Sequence, residues 1–261
     1  MKNLTTLIFA TFLILLGCQQ KKATPKVKEE KVIEKTLAQK IETAHQKESF
    51  LKHEAISFDA AISFGGSEVF NANITITTSS DLAKITYQNG DEIYVNQQDI
   101  FVSPNLKDNP GVRFHAYTWT YFFLFPYKLN DNGTKWDYNF KTSETSSTYT
   151  TAKLSFEANT GDAPDDWYIT YTDVKTNVLN HVAYIVTAGK TKEAAEADPH
   201  AIKYDSYQTV DGVPFSSEWG FYEWNLTDGL TNKIGAGKIT NIKFVDNFRD
   251  TFSIPKDYIK K

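Results

Sequence analysis

Cysteine is almost missing from this sequence, with Cys18 the single example in 261 residues. A disulfide framework and a thiolate metal cluster are both excluded, because each needs several cysteines. An excess of one charge sign is also missing. The 28 Lys and Arg against 32 Asp and Glu give a net charge of −4, and no basic stripe runs along the chain, which argues against a nucleic-acid partner. Long hydrophobic runs are lacking beyond the N-terminus. The most apolar later stretch, "TWTYFFLFPYKL" (Thr118 to Leu129), belongs to an apolar run from Arg113 to Phe125 that is too short to cross a bilayer as a helix. Pro126 then ends it. Catalytic signatures are lacking as well. His45, His53, His115, His181 and His200 include no close pair, so there is no His-Glu-x-x-His zinc motif, and no Gly-x-Ser-x-Gly elbow is present. "SFGGSEVF" (Ser63 to Phe70) places Gly-Gly between two strand-like runs, as a hairpin does, without the helix that a phosphate cradle requires. No cofactor is implied.

What is present begins at the N-terminus. "MKNLTTLIFATFLILLGC" has Lys2, an apolar run from Leu4 to Leu16, and then Leu15-Leu16-Gly17-Cys18. A small residue before Cys, with aliphatics ahead of it, resembles the lipobox of bacterial lipoprotein signal peptides, which are cut before a cysteine that is then acylated. The expectation is a signal peptide over residues 1–17, a lipid attached at Cys18, and a flexible tether over residues 18–36. Two or three acyl chains make a stable anchor where one is marginal. Removing residues 1–17 takes away one lysine and leaves −5; the tether carries six Lys and three Glu, so the body beyond it is at −8.

Residues 37–261 then read as one domain. Ile33, Leu37, Ile41 and Ala44 recur at helical spacing, which predicts an amphipathic helix over roughly residues 30–48. Beyond Phe50 the chain consists of short runs rich in Ile, Val, Phe, Tyr and Thr, among them "AISFDAAISF", "NANITITT", "AKITYQNGDEIYVN", "YTTAKLSFE" and "VPFSSEWGFYEWN". Asn89-Gly90 is a hairpin signal, and "DVKTN" and Asp211-Gly212 mark further turns. About ten or eleven strands joined in sequence, with no strand–helix–strand alternation, predict an antiparallel sheet in a mainly β (α+β) fold. The segment 113–125 is ambiguous. It alternates from Tyr117 to Tyr121 like a strand and is continuously apolar from Phe122 to Phe125, which suits a buried strand or helix equally.

Several blocks carry a family likeness: Arg113 to Trp136, "GDAPDDWYITY" (Gly161 to Tyr171), "YIVTAGKT" (Tyr184 to Thr191) and "EWGFYEWN" (Glu218 to Asn225). Together they resemble an uncharacterised envelope lipoprotein family of Bacteroidetes. Its layout is similar in turn to the outer-membrane lipoprotein carrier and sorting proteins. That resemblance implies a leading helix, a single sheet curled into a half-barrel, and short plug helices on the concave face, one of them over 113–125. It also implies a cavity for acyl chains.

The functional expectation is a non-enzymatic envelope lipoprotein that binds or senses a lipid acyl chain or lipopeptide. It would be held in the membrane by its anchor, at the outer membrane facing the periplasm, since no acidic run follows Cys18. Aromatics make up 14% of the chain and both fill cores and line lipid sites. The expected cavity wall is Trp119, Phe122, Phe123 and Phe125, with Trp167 and Trp219. Asp162, Asp165 and Asp166 are closely spaced enough to suggest a hard-cation site, although three carboxylates supply too few oxygens for calcium and turn chemistry accounts for them. A hydrolase acting on envelope glycan or lipid through Asp165, Asp166 or Glu218 is one alternative. A scaffold module with a filled half-barrel is the other.

Overall fold

The computed structural model describes residues 34–261, and these begin at a helix cap. Thr36 Oγ1 accepts from the Gln39 amide while Gln39 Oε1 accepts from the Thr36 amide, closing a capping box that starts α1 at Leu37. This helix, Leu37–Ala44, is shorter than the spacing predicts, because the chain turns at Gln46 (φ 58°) before a second short helix, α2, Lys47–Phe50. Residues 30–33 of the predicted helix, Cys18 and the signal peptide lie outside the described residues.

Five strands follow: β1 Ala55–Phe64, β2 Ser67–Thr77, β3 Leu82–Tyr87, β4 Glu92–Asn96 and β5 Asp99–Val102. Each pairs antiparallel with the one before it. The Gly-Gly turn predicted at residues 65–66 joins β1 to β2, with both glycines at positive φ. Beyond the helix α3, Val112–Leu124, come β6 Thr134–Asp137, β7 Tyr149–Phe156, β8 Tyr168–Asp173 and β9 Leu179–Tyr184. A short helix α4, Lys192–Glu196, leads to β10 His200–Val210, β11 Val213–Asn225 and β12 Gly229–Val245; α5, Phe248–Thr251, precedes β13 Ile259–Lys260. The order across the single antiparallel sheet is β13-β5-β4-β3-β2-β1-β12-β11-β10-β9-β8-β7-β6. Among the described residues, thirteen strands replace the ten or eleven expected. The additions are short, β6 and β13 at the two edges, where a few residues give little periodic signal.

The sheet does not close, since its edge strands β13 and β6 do not pair with each other. Its curl has local causes. Bulges interrupt β1 at Ser57/Asp59 and Ile62/Ser63, β8 at Tyr171/Thr172, and β11 at Phe221/Tyr222 and Tyr222/Trp224, and each bends its strand and increases the twist. Gly235 and Gly237 in β12 let the long central strands approach closely, because a Cβ at Gly235 would strike Phe64 and one at Gly237 would strike Ile62.

Topology explains α3. The chain finishes one wing of the sheet at β5 and must begin the other wing at β6, the opposite edge. The route lies across the concave face, and an apolar helix covers it. Trp119, Phe122 and Phe123 join Phe58, Phe70, Phe215 and Phe221 in the core cluster, so the plug-helix expectation for 113–125 is met and the strand alternative is not. The alternation from Tyr117 to Tyr121 misleads because Thr120 is itself buried, its hydroxyl donating to the Ala116 carbonyl at 3.0 Å. Pro126 ends the helix in a single 3-10 turn, Phe125–Tyr127.

Behind β8 and β9 a second apolar cluster of Ile169, Tyr171, Ala183, Ala201 and Trp224 forms on the outer face, with Phe140, Tyr149 and Trp167 against it. Burial on both faces is why β8 reads "YITYT" with no polar side left free. All strands and both clusters lie within Lys35–Lys261, which form one unit.

Candidate ligand-binding cleft

Helix α3 does not fill the concave face. Beside it lies a cleft of about 1100 Å³, slightly above the usual range for small-molecule sites of roughly 300–1,000 Å³. One wall is the flank of α3, with Arg113, Tyr117, Tyr121 and Leu124. Ile76, Ala83 and Val95 of β2 to β4 face it from one wing, and Phe156, Tyr168 and Tyr184 of β7 to β9 from the other. The rim is polar and comes from the loops at 128–134, 160–166 and 186–192.

Several fixed bonds hold this shape. Tyr204 Oη donates to the Phe122 carbonyl at 3.0 Å and Tyr127 Oη to the Pro214 carbonyl at 3.0 Å, tying the end of α3 to β10 and β11. Lys128 Nζ reaches Asp131 at 2.6 Å and donates to Ser80 Oγ at 2.8 Å. Glu42 of α1 accepts from both the backbone amide and the side-chain amide of Asn130, at 3.0 and 2.8 Å, and pairs with Lys47. At the other end of α3, Arg113 forms an ion pair with Asp162 across the mouth.

Two ion pairs, Arg113 with Asp162 and Lys128 with Asp131, thus link rim charges to each other. Asp166 is buried, and its Oδ1 accepts from the Thr187 amide and hydroxyl at 2.8 and 2.7 Å. Burial raises the Asp166 carboxyl above the ordinary range, with the Thr187 bonds opposing. Asp165 is exposed. Asp162, Asp165 and Asp166 thus have separate environments, and among the described residues no group of three or more His, Cys, Asp or Glu is placed to hold a metal ion. Glu218 is exposed on β11 and accepts from Ser206 Oγ at 2.9 Å, so it and Asp166 are engaged with different partners on different elements.

Of the six aromatics singled out from sequence, Phe122 borders the cleft. Trp119 is 2% exposed, set among Phe70, Phe114 and Phe221, and its Nε1 donates to His115 Nδ1 at 2.9 Å. Phe123 stacks between Phe58 and Phe215, with centroids at 3.8 and 5.3 Å. Phe125 is enclosed beside Tyr121 and Tyr168. Trp219 and Phe123 instead border a void of about 10 Å³ near His45. Trp167 sits on the outer face, with the Lys153 ammonium 4.7 Å from its ring centroid and Trp224 beyond. The cleft tyrosines escaped the sequence reading. Tyr168 and Tyr184 lie in blocks already singled out, but only strand pairing shows which of their alternating side chains face inward.

The histidines also have individual settings. His45 is fully buried, and its Nε2 accepts from the Leu179 amide at 3.1 Å. His53 stacks on Phe244 at 3.5 Å, and His181 stacks on Tyr171 at 3.9 Å on the outer face. Burial lowers the pKa of His45 to about 3 and lowers those of His115 and His181.

With this geometry in view, the chain is similar in fold to a LolA-superfamily protein of Nitrosomonas europaea. The two superpose with a TM-score of 0.54 at 11% identity, over 84% of this chain and 99% of that one. A domain of Vibrio parahaemolyticus assigned to outer membrane lipoprotein sorting gives a TM-score of 0.48 at 10% identity, over 83% and 96% of the two chains. A DUF1329 family protein of Desulfovibrio piger gives 0.44 at 7% identity, over 81% and 94%. At such identities the likeness concerns the fold, an open curled antiparallel sheet. No protein-family model and no curated protein matches the chain.

Proposed function

We propose that this chain is a lipid-anchored envelope protein, tethered through Cys18, that binds the acyl portion of a lipid or lipopeptide in the cleft beside α3. The observation that carries the reading is the cleft itself. A space of about 1100 Å³, apolar along the sheet and polar at its rim, stays open against a helix that has ample aromatic side chains to fill it. A module acting only as a scaffold would gain stability by closing such a space, since burying an aromatic side chain is worth about 1.5–3 kcal/mol. The mouth pairs charges rather than presenting a catalytic constellation, which favours holding over transforming a ligand. The Nitrosomonas europaea protein supports the reading at the level of fold. A permanent anchor at Cys18 would make this chain a tethered receptor or sensor rather than a shuttle, at the outer membrane and facing the periplasm.

The test is native mass spectrometry of residues 35–261, together with titration by a fluorescent fatty-acid probe. Saturable uptake with one ligand per chain is expected. A chain that stays empty across phospholipid, glyceride and lipopeptide classes refutes the proposal. Radiolabelled palmitate incorporation that is lost in Cys18→Ser tests the anchor separately.

A further inference from the structure

The tyrosines of the concave face fall into two groups. Tyr117, Tyr127, Tyr204 and Tyr207 each donate to a backbone carbonyl, at 3.2, 3.0, 3.0 and 2.8 Å, as buried hydroxyls normally do. Tyr121, Tyr168 and Tyr184 border the cleft, and their hydroxyls make no hydrogen bond to the described residues. None of the three is among the sealed, unpartnered buried atoms, so the space each hydroxyl meets is the cleft. The rings are contiguous, with Tyr121 and Tyr168 centroids 5.3 Å apart and Tyr168 and Tyr184 centroids 6.4 Å apart. They form one row of three donors beside the apolar side chains of Phe122, Leu124 and Phe156.

Such a row discriminates among occupants. Water satisfies the hydroxyls when the cleft is empty. A plain hydrocarbon displaces that water and leaves three donors unpaired, which penalises it. A free carboxylate would bring a negative charge towards Asp166, whose field already reaches Tyr121 and Tyr168. Of the four cations among the described residues that border the cleft, Arg113 pairs with Asp162, Lys128 with Asp131 and Lys190 with Asp198, which leaves Lys192 at the rim as the one a carboxylate could reach. Burial raises the pKa of all three phenols, which keeps them protonated and donating. The complementary group is an uncharged acceptor attached to a hydrocarbon chain.

We propose that Tyr121, Tyr168 and Tyr184 recognise the carbonyl oxygens of an acyl ester, so that the cleft selects ester-linked glycerolipid over plain hydrocarbon or free fatty acid. This rests on the reading of the cleft as a lipid site and specifies its ligand class.

The experiment uses residues 35–261, the unit that holds every strand and the whole core, and measures displacement of a bound fluorescent acyl probe. The competitors are monopalmitoylglycerol, its hexadecyl ether analogue, which lacks only the carbonyl, and palmitate. The wild type is expected to bind the ester about tenfold more tightly than the ether, the scale of one or two net hydrogen bonds, and more tightly than palmitate. The triple variant Tyr121→Phe, Tyr168→Phe, Tyr184→Phe keeps the rings. It should bind ester and ether equally, with ether affinity raised because no donor is left unpaired. Single Tyr168→Phe and Tyr184→Phe variants each lose part of the preference and serve if the triple variant does not fold. Phosphatidylethanolamine and a diacylated cysteinyl peptide, each against its ether analogue, distinguish a phospholipid from a lipoprotein source. An ester preference with either supports the proposal. Equal ester and ether binding by the wild type overturns it, as do tighter palmitate binding or a preference that survives loss of the hydroxyls. Failure of every lipid to compete refutes instead the reading of the cleft on which it rests.

Discussion

Replacing His45 by Gln should flatten the acid dependence of stability in a defined window. His45 is 0% exposed, and because its Nε2 accepts from the Leu179 amide, the neutral ring carries its proton on Nδ1. That Nδ1 has no partner, so nothing nearby welcomes a second charge, and burial lowers the pKa from 6.5 to about 3. The folded pKa lies below the unfolded one, so the unfolded chain takes up a proton that the folded chain refuses. Stability is therefore intact above about pH 6.5 and falls as pH drops towards 3, by up to about 1.4 kcal/mol per pH unit. Between pH 7 and about pH 4.5 this one residue removes about 2.5 kcal/mol. In His45→Gln, Oε1 can replace the ring acceptor without titrating. Carboxylate effects are common to both proteins and cancel in the comparison. Urea unfolding at the two pH values should show wild type losing about 2.5 kcal/mol more than His45→Gln. Equal losses would refute the reasoning, as would an NMR titration placing His45 near pH 6.5.

Trp119→Ala should cost about 3–5 kcal/mol, because it opens a cavity among Phe70, Phe114 and Phe221 and strips His115 Nδ1 of its donor; a loss under about 1 kcal/mol in urea unfolding contradicts the core assignment. Val186→Trp places bulk at a half-buried wall of the cleft and is expected to block probe uptake while shifting stability by less than about 1 kcal/mol, as read by fluorescence titration beside thermal melting. Asp166→Ala removes the acceptor for both Thr187 donors and should cost about 1–3 kcal/mol. Asp166→Asn keeps Oδ1 and removes a buried charge, so its unfolding midpoint should match or exceed that of the wild type.

Much of the fold could be read from local pattern. "AISFDAAISF" coincides with β1, and the Gly65-Gly66 and Asp211-Gly212 turns close their hairpins with both residues at positive φ. What local pattern could not supply was number and sidedness. The edge strands β6 and β13 are four and two residues long, too brief to register as periodic. The resemblance places the aromatics of 113–125 on the concave face, but residue type alone does not separate the stripe against the core from the stripe facing the cleft. Trp119 and Phe123 fall on the first, and Tyr117 and Tyr121 on the second.

The sequence by itself determined the class: a β-rich chain with one cysteine, no metal motif, and an apolar central segment too short to span a bilayer. Period-2 patterning, turn residues and composition act over a few residues, so they are visible without a fold. The tertiary structure alone decided that α3 must cross the concave face, because β5 lies next to one edge of the sheet and β6 forms the other, and that it leaves a cleft beside it. It also decided which tyrosine hydroxyls find a backbone carbonyl and which find only open space. Those outcomes depend on residues such as Tyr121, Tyr168 and Tyr184, which are far apart in sequence and meet only once the sheet has curled.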